Sequence, residues 1–318
     1  MQVLIFGAGV IGRIYAARLI AAGHHVFLVA RGDTRAQLEQ TGIPLRRAGE
    51  LSGTVFPHLI DTVQEAGEVD VALITIRRDQ FHDAVPHLSG IDARVVVSLV
   101  NLPRHIYQLS KIVGACRFVA AFPGVAGRIE ADGTVDYIHV AQQPTTVGKL
   151  TGPDRTSEPH RDAVARLLRS ADFPVVTENN MSAWLQTHAV FITAFDSAIV
   201  ARPSLVERVH ESTRLGDQRV VRALILEVRA GFRALQATGV PITPATLRRI
   251  FLRLPLWLAV IYCIRELRGE LGRLGLAPHA VAAQHTELPV LKADVRAFLM
   301  PPVAVSRPAL QPVEAPAD

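Results

Sequence analysis

The sequence predicts an α/β protein: a doubly wound parallel sheet over residues 1–178 followed by an all-helical C-terminal domain over residues 179–300. Three observations carry this. From Met1 to about Val176, short β-rich apolar runs alternate with helical stretches. From Met181 to Leu299, almost every stretch has helical periodicity. The first apolar run, Val3-Leu4-Ile5-Phe6, empties directly into Gly7-Ala8-Gly9-Val10-Ile11-Gly12. At 318 residues the chain has room for both cores.

The first strand is Val3 to Phe6. The helix after it carries Ile11, Tyr15, Leu19 and Ala22 along one stripe and stops at Gly23. Strand, GxGxxG turn and helix together are the context of a Rossmann dinucleotide site. The first glycine makes the tight turn, the second admits a pyrophosphate to the positive helix terminus, and the third lets helix and strand pack closely. Further strands are expected at Val26 to Ala30, Val71 to Ile76, Val95 to Val100 and Phe118 to Phe122. Thr134 to Val140 and Thr145 to Val147, separated by Gln-Gln-Pro, read as an appended hairpin. A polar segment, 151–159, leads to a helix around Ala163 to Leu168, and Phe173 to Val176 reads as the last strand. In the helical half, breaks are expected at Pro203, 239–244, Pro255 and Pro278. Residues 301–318 hold five prolines and read as a disordered or extended tail.

Composition narrows the function classes. Hydrophobic residues make up 49% and charged ones 20%, which fits a globular protein. The net charge of +5 suggests nucleic acid until its distribution is inspected: the only lysines are Lys111, Lys149 and Lys292, and the arginines are scattered beside acids. Aromatics are only 6%, too few for a stacking surface, so no nucleic acid is expected. Cys116 and Cys263 form no CxxC pair, which argues against zinc and disulfides and for a reducing cytoplasm. No HExxH occurs, and no metal is expected. A core strand at the N-terminus leaves no room for a signal peptide. Leu254 to Ile264 is too short to span a bilayer and reads as a buried helix. The expected partner is a small-molecule substrate, with a homodimer possible and no membrane.

In an open parallel sheet, ligands sit beyond the carboxyl ends of the strands. Arg31 follows the second strand, 19 residues after Gly12, where an acid would hold an NAD ribose; a guanidinium there suits the 2′-phosphate of NADP. Asp33 leaves NAD open. Thr75-Ile76-Arg77-Arg78 ends the strand from Val71 and offers Arg77 to cofactor phosphates or ribose. Asn101 ends the strand from Val95 and can present its amide to a nicotinamide ribose or a substrate carbonyl. In the second domain, the helix opening Ser182-Ala183-Trp184-Leu185-Gln186-Thr187-His188 faces the substrate side. Its continuation to Ala201 is apolar except for Thr193, Asp196 and Ser197. His188 is a proton donor by type, although a histidine on an apolar helix is more often packed. Glu287, in His285-Thr286-Glu287, is a further polar element.

The glycine turn, Ala30-Arg31-Gly32, Thr75-Ile76-Arg77, Asn101 and the Trp184 helix together resemble the ketopantoate reductase (2-dehydropantoate 2-reductase) family over most of residues 1–290. The resemblance implies an NADP-binding Rossmann domain, a helical domain, an active site between them, and reduction of a 2-oxo acid by NADPH. It also implies where this chain departs. Arg77 stands where the family often has lysine, and Leu102-Pro103 replace the glycines after the family asparagine. Gln186 occupies the position of the catalytic lysine, and Val190 and Ala194 occupy those of substrate-binding asparagines. Glu287 resembles the family's Thr-Glu element. The expectation is an NADPH-dependent reductase of a 2-oxo acid or related carbonyl or imine. Gln186 would orient the substrate oxygen, Asn101 would hold cofactor or substrate, and a proton would come from His188, Glu287 or water. The alternative is a non-catalytic NADP-binding sensor or scaffold. A 3-hydroxyacid dehydrogenase would need a lysine and an asparagine on the segment from Trp184 to Ala201, which supplies neither.

Overall fold

The computed structural model describes residues 1–47, 49–151, 158–207 and 215–300; the Pro-rich tail expected at 301–318 lies outside the described residues. In chain order the strands are β1 (Gln2–Phe6), β2 (His25–Val29), β3 (Ile43–Arg47), β4 (Glu50–Val55), β5 (His58–Ile60), β6 (Val69–Ile74), β7 (Ala93–Ser98), β8 (Phe118–Phe122), β9 (Val125–Ile129), β10 (Val135–His139), β11 (Thr145–Gly148) and β12 (Val175–Glu178). The helices are α1 (Val10–Ala21), α2 (Gly32–Thr41), α3 (Phe81–Leu88), α4 (Ile106–Val113), α5 (Glu158–Ser170), α6 (Met181–Ala201), α7 (Ser204–Glu207), α8 (Leu215–Ala237), α9 (Ala245–Arg248), α10 (Leu256–Arg268), α11 (Ala277–Ala283) and α12 (Glu287–Leu299).

The main sheet runs β12-β11-β8-β7-β6-β1-β2-β5, parallel except where β11 meets β8. Its central strands are apolar on both faces because both are covered: Val71, Leu73, Val95 and Val97 belong to one core, and Ala72, Ile74 and Val96 to the other. Strand order reverses at β1, between β2 and β6. The glycine turn therefore leaves the sheet at its switch point, where the ends of neighbouring strands diverge and leave a crevice.

The expected hairpin of Thr134 to Val140 with Thr145 to Val147 does not form. β10 pairs with β9 and β3 in a second sheet, β4-β3-β10-β9, while β11 joins the main sheet. The second sheet packs on α1 through Ile43, Leu45, Val135 and Tyr137. Only long-range pairing distinguishes this arrangement from a local hairpin, and local pattern does not encode it.

The expected change of texture falls at α6. Asn180 starts this helix, its Oδ1 accepting from the Ala183 amide at 3.0 Å. Met181, Trp184 and Leu185 belong to the sheet's core, whereas Val190, Ala194, Phe195 and Ile199 belong to the helical core. One helix thus spans the two halves. Breaks occur at Pro203, 239–244 and Pro255, but not at Pro278, which sits in the first turn of α11, where its missing N–H costs nothing. The stretch expected to be a buried helix is only half buried: α10 buries Ala259, Cys263 and Leu267, while Trp257 is 64% and Ile261 58% exposed. No helix among the described residues is long and apolar enough to cross a membrane.

Candidate active site at the junction of sheet and helices

The site is built outward from the glycine turn. Gly7 has φ +120°, a conformation that disfavours side chains. A Cβ on Gly12 would collide with the Gly7 carbonyl oxygen and lie 2.8 Å from Thr75 Oγ1, so α1 approaches the turn as closely as it does only because position 12 is bare. Thr75 Oγ1 donates to the Gly7 carbonyl at 2.8 Å, which ties the turn to the end of β6. Gly9 differs from both. A Cβ there would meet nothing within 4 Å. Gly9 is the N-cap of α1, which has no side-chain cap and no acid in its first turn. Open space above an uncapped, positively polarised helix end fits a pyrophosphate. Val10, Ile11 and Gly12 form that first turn, with Ala8 packed against the core.

At the end of β2, Arg31 is exposed and its Nε donates to the Asp61 carbonyl at 2.9 Å. That single bond holds the guanidinium at the strand end while its other nitrogens are engaged by no described residue. At the end of β6, Arg77 is half exposed, with Nε and Nη2 each 3.1 Å from an Asp79 oxygen. Its charge is already partnered. The next arginine is the structural one: Arg78 is buried, with Nε 2.6 Å and Nη2 3.1 Å from the Asp294 carboxylate on α12. Asn101 lies beyond β7, with its Oδ1 buried and without a hydrogen-bond partner among the described residues. An unpartnered buried acceptor at the mouth of the sheet fits a ligand donor.

On the helical side, Glu287 begins α12 almost fully buried, and its Oε1 accepts the Arg78 amide at 2.9 Å. Burial raises its carboxyl above the ordinary value, against the opposing pull of His279 and that N–H. His279 on α11 places Nε2 3.8 Å from Glu287 Oε2 and Nδ1 3.1 Å from Asp196 Oδ2. The structure thus joins Arg78, Glu287, His279 and Asp196 in one chain of contacts running from the segment after β6 into α6.

His188 is placed otherwise. Its ring is stacked on Trp184 at 5.1 Å and lies 4.3 Å from Phe122. Burial, and secondarily the charge of His279, push it down to about 3, so the ring is neutral near pH 7. The expected acid is not available there as an imidazolium. Gln186 is half buried on the turn of α6 that follows the sheet core. Val190 and Ala194 are buried in the helical core, and a Cβ on Gly231 of α8 would strike Val190 Cγ1. Their apolar character serves the α6–α8 contact.

The sequence reading missed Asp294, His279 and the role of Arg78. Asp196 carried a signal, as one of three polar residues interrupting an apolar helix. Asp294 and His279 carried none, because surface helices are full of such residues and only the tertiary contact makes these two special.

Residues 3–152 match the family described as ketopantoate reductase PanE/ApbA. A 2-dehydropantoate 2-reductase of Archaeoglobus fulgidus is 28% identical over 200 residues, a stretch covering 61% of this chain and 62% of that protein. Among solved structures, 2-dehydropantoate 2-reductase from Geobacter metallireducens superposes with a TM-score of 0.70 at 15% identity, over 94% of this chain and 93% of that one. D-mandelate dehydrogenase, solved with NADH, superposes with a TM-score of 0.67 at 12% identity, over 94% and 91%. The chain thus shares the overall fold of these structures, and its residues 3–152 match the ketopantoate reductase PanE/ApbA family.

Proposed function

We propose that the chain is an NADPH-dependent reductase that converts a 2-oxo acid, or a related carbonyl or imine, to the hydroxy or amino product. The observation that carries this is the glycine turn at the sheet's switch point, with Gly9 open above the uncapped end of α1. Gly7 to Gly12 would hold the pyrophosphate, Arg31 the 2′-phosphate, and Arg77 the phosphate or ribose edge. The buried Asn101 Oδ1 would accept a donor from the nicotinamide ribose or the substrate. A bound reduced nicotinamide supplies the hydride. Glu287 and Gln186 would orient the substrate from α12 and α6.

Arg31 decides between the two nicotinamide cofactors. Charge-assisted hydrogen bonds are worth about 1.5–3 kcal/mol, so Arg31→Ala is expected to weaken NADPH roughly 10- to 100-fold and NADH by less than about threefold, read by nicotinamide fluorescence. Equal affinity of the unaltered protein for both cofactors would remove the role given to Arg31. No binding of either would remove the reading as a whole. The second reading, a nicotinamide-binding protein without turnover, is favoured by Gln186 in place of a lysine. It predicts NADPH binding with no oxidation across a panel of 2-oxo acids, ketones and imines.

A further inference from the structure

We propose that His279, oriented by Asp196, is the acid that protonates the reduced oxygen, supplying from α11 the proton that Gln186 cannot supply from α6. This rests on the reductase reading above. The geometry is that of a carboxylate–imidazole dyad. Asp196 is fully buried and its two oxygens lie 3.3 and 3.1 Å from Nδ1. That contact fixes the ring and leaves Nε2 facing Glu287 at 3.8 Å. The ring is 41% exposed, so solvent reaches part of it. A buried carboxylate with no other hydrogen-bond partner among the described residues has its charge answered by this ring alone, which favours the imidazolium.

The groups acting on the ring come from every side of it. Burial disfavours its charge, but Asp196 on α6 and Glu287 on α12 outweigh both that and the repulsion of Arg77 after β6, raising His279 to about 9. His188 on α6 is neutral, and Arg128 on β9 is paired with Glu130. His279 is therefore protonated at neutral pH, where His188 is not.

In the reaction, hydride adds to the carbonyl carbon and the C=O π pair moves onto oxygen. The Nε2–H bond of His279 breaks as the O–H bond forms. The hydride, with its electron pair, would come from the reduced nicotinamide when bound, so the carbonyl is reduced by two electrons, and the neutral imidazole regains its proton from solvent. Since the protonated ring is the active form, kcat should be level below about pH 8 and fall as pH rises through about 9.

The test compares wild type, His279→Gln and Asp196→Asn. His279→Gln keeps a hydrogen-bond donor but no transferable proton. It is expected to lower kcat at least 100-fold, remove the alkaline limb, and leave the Kd for NADPH within about twofold. Asp196→Asn should move the alkaline limb to lower pH. Ring 15N signals give a readout without turnover: the His279 resonance should titrate well above the ordinary histidine value and shift when oxamate is added to the NADPH complex. A His279→Gln variant with unchanged kcat and pH profile, or a ring that titrates normally and ignores oxamate, would overturn the assignment of His279 while leaving the reductase reading in place. If wild-type protein binds NADPH yet reduces nothing in the carbonyl panel, the reductase reading fails and takes the histidine assignment with it.

Discussion

Gly12→Ala is expected to abolish nicotinamide binding and to lower the unfolding free energy by about 3 kcal/mol, the upper end of ordinary overpacking costs. Gly9→Ala is expected to weaken binding about 100-fold while changing stability by less than about 1 kcal/mol. Both substitutions add one methyl group to the same turn, and the difference lies in what that methyl meets. At position 12 it meets the Gly7 carbonyl, itself held by Thr75, so α1 must move off the sheet. At position 9 nothing protein-derived lies within 4 Å, and the backbone, at φ −76° and ψ −170°, is comfortable for any residue. The lost freedom of an unfolded glycine offsets most of the poorer N-cap. Urea unfolding and nicotinamide fluorescence on the same samples separate the two effects. Gly9→Ala binding NADPH as tightly as wild type would mean that the phosphates do not lie over α1.

This contrast also marks how far local pattern reaches. The glycine turn was legible because each of its requirements is met by neighbours within ten residues: a strand before, a helix after, small residues at fixed offsets. β1, β2, β6, β7 and β8 were legible for the same reason, since a parallel sheet covered on both faces writes continuous apolar runs into the chain. The second sheet was not. β3 and β4 are short and largely polar on their outer face, and the partner that makes β3 an inner strand of that sheet, β10, lies some ninety residues away in sequence. The helical side of the site was legible only where one residue type stood out. Glu287 was found through its Thr-Glu setting. His188 drew attention as the conspicuous histidine on α6, yet it is His279, 91 positions later, that meets the buried carboxylate of that helix. A charge acquires its role from a partner distant in sequence, and hydropathy patterns do not record partners.

The buried pair between Arg78 and Asp294 gives the largest expected loss of stability. Asp294→Ala should cost about 3–5 kcal/mol, because it leaves the Arg78 guanidinium out of water with no counter-charge. Both side chains are under 5% exposed, so solvent does little to compensate. Arg104 Nη1 lies 3.9 Å from the same carboxylate and would add to the unbalanced positive charge, whereas burial pushes His105, whose Nε2 is 3.8 Å away, below the ordinary histidine value and leaves it mostly neutral near pH 7. Removing the other partner, in Arg78→Met, should cost less, since Arg104 remains to answer Asp294. The double variant Arg78→Met/Asp294→Leu should return to within about 1 kcal/mol of wild type, because two apolar side chains avoid the desolvation that the ions must overcome. Arg94→Ala is the control, its contact with Glu68 lying in solvent and contributing at most about 0.5 kcal/mol. A denaturation cycle closed with the Asp294→Leu single variant should thus return a coupling energy larger than a surface pair can provide, and an Asp294→Ala cost below about 1 kcal/mol would show that the guanidinium finds water. The pair matters to the site as well as to stability: it pins α12 to the end of β6, and with it the bond from the Arg78 amide that aims Glu287 at the junction. The double variant keeps the packing but gives up the directional contact. It is therefore expected to fold as stably as wild type while raising KM for the carbonyl substrate about tenfold, which separates the part of the pair that holds the halves together from the part that aligns them.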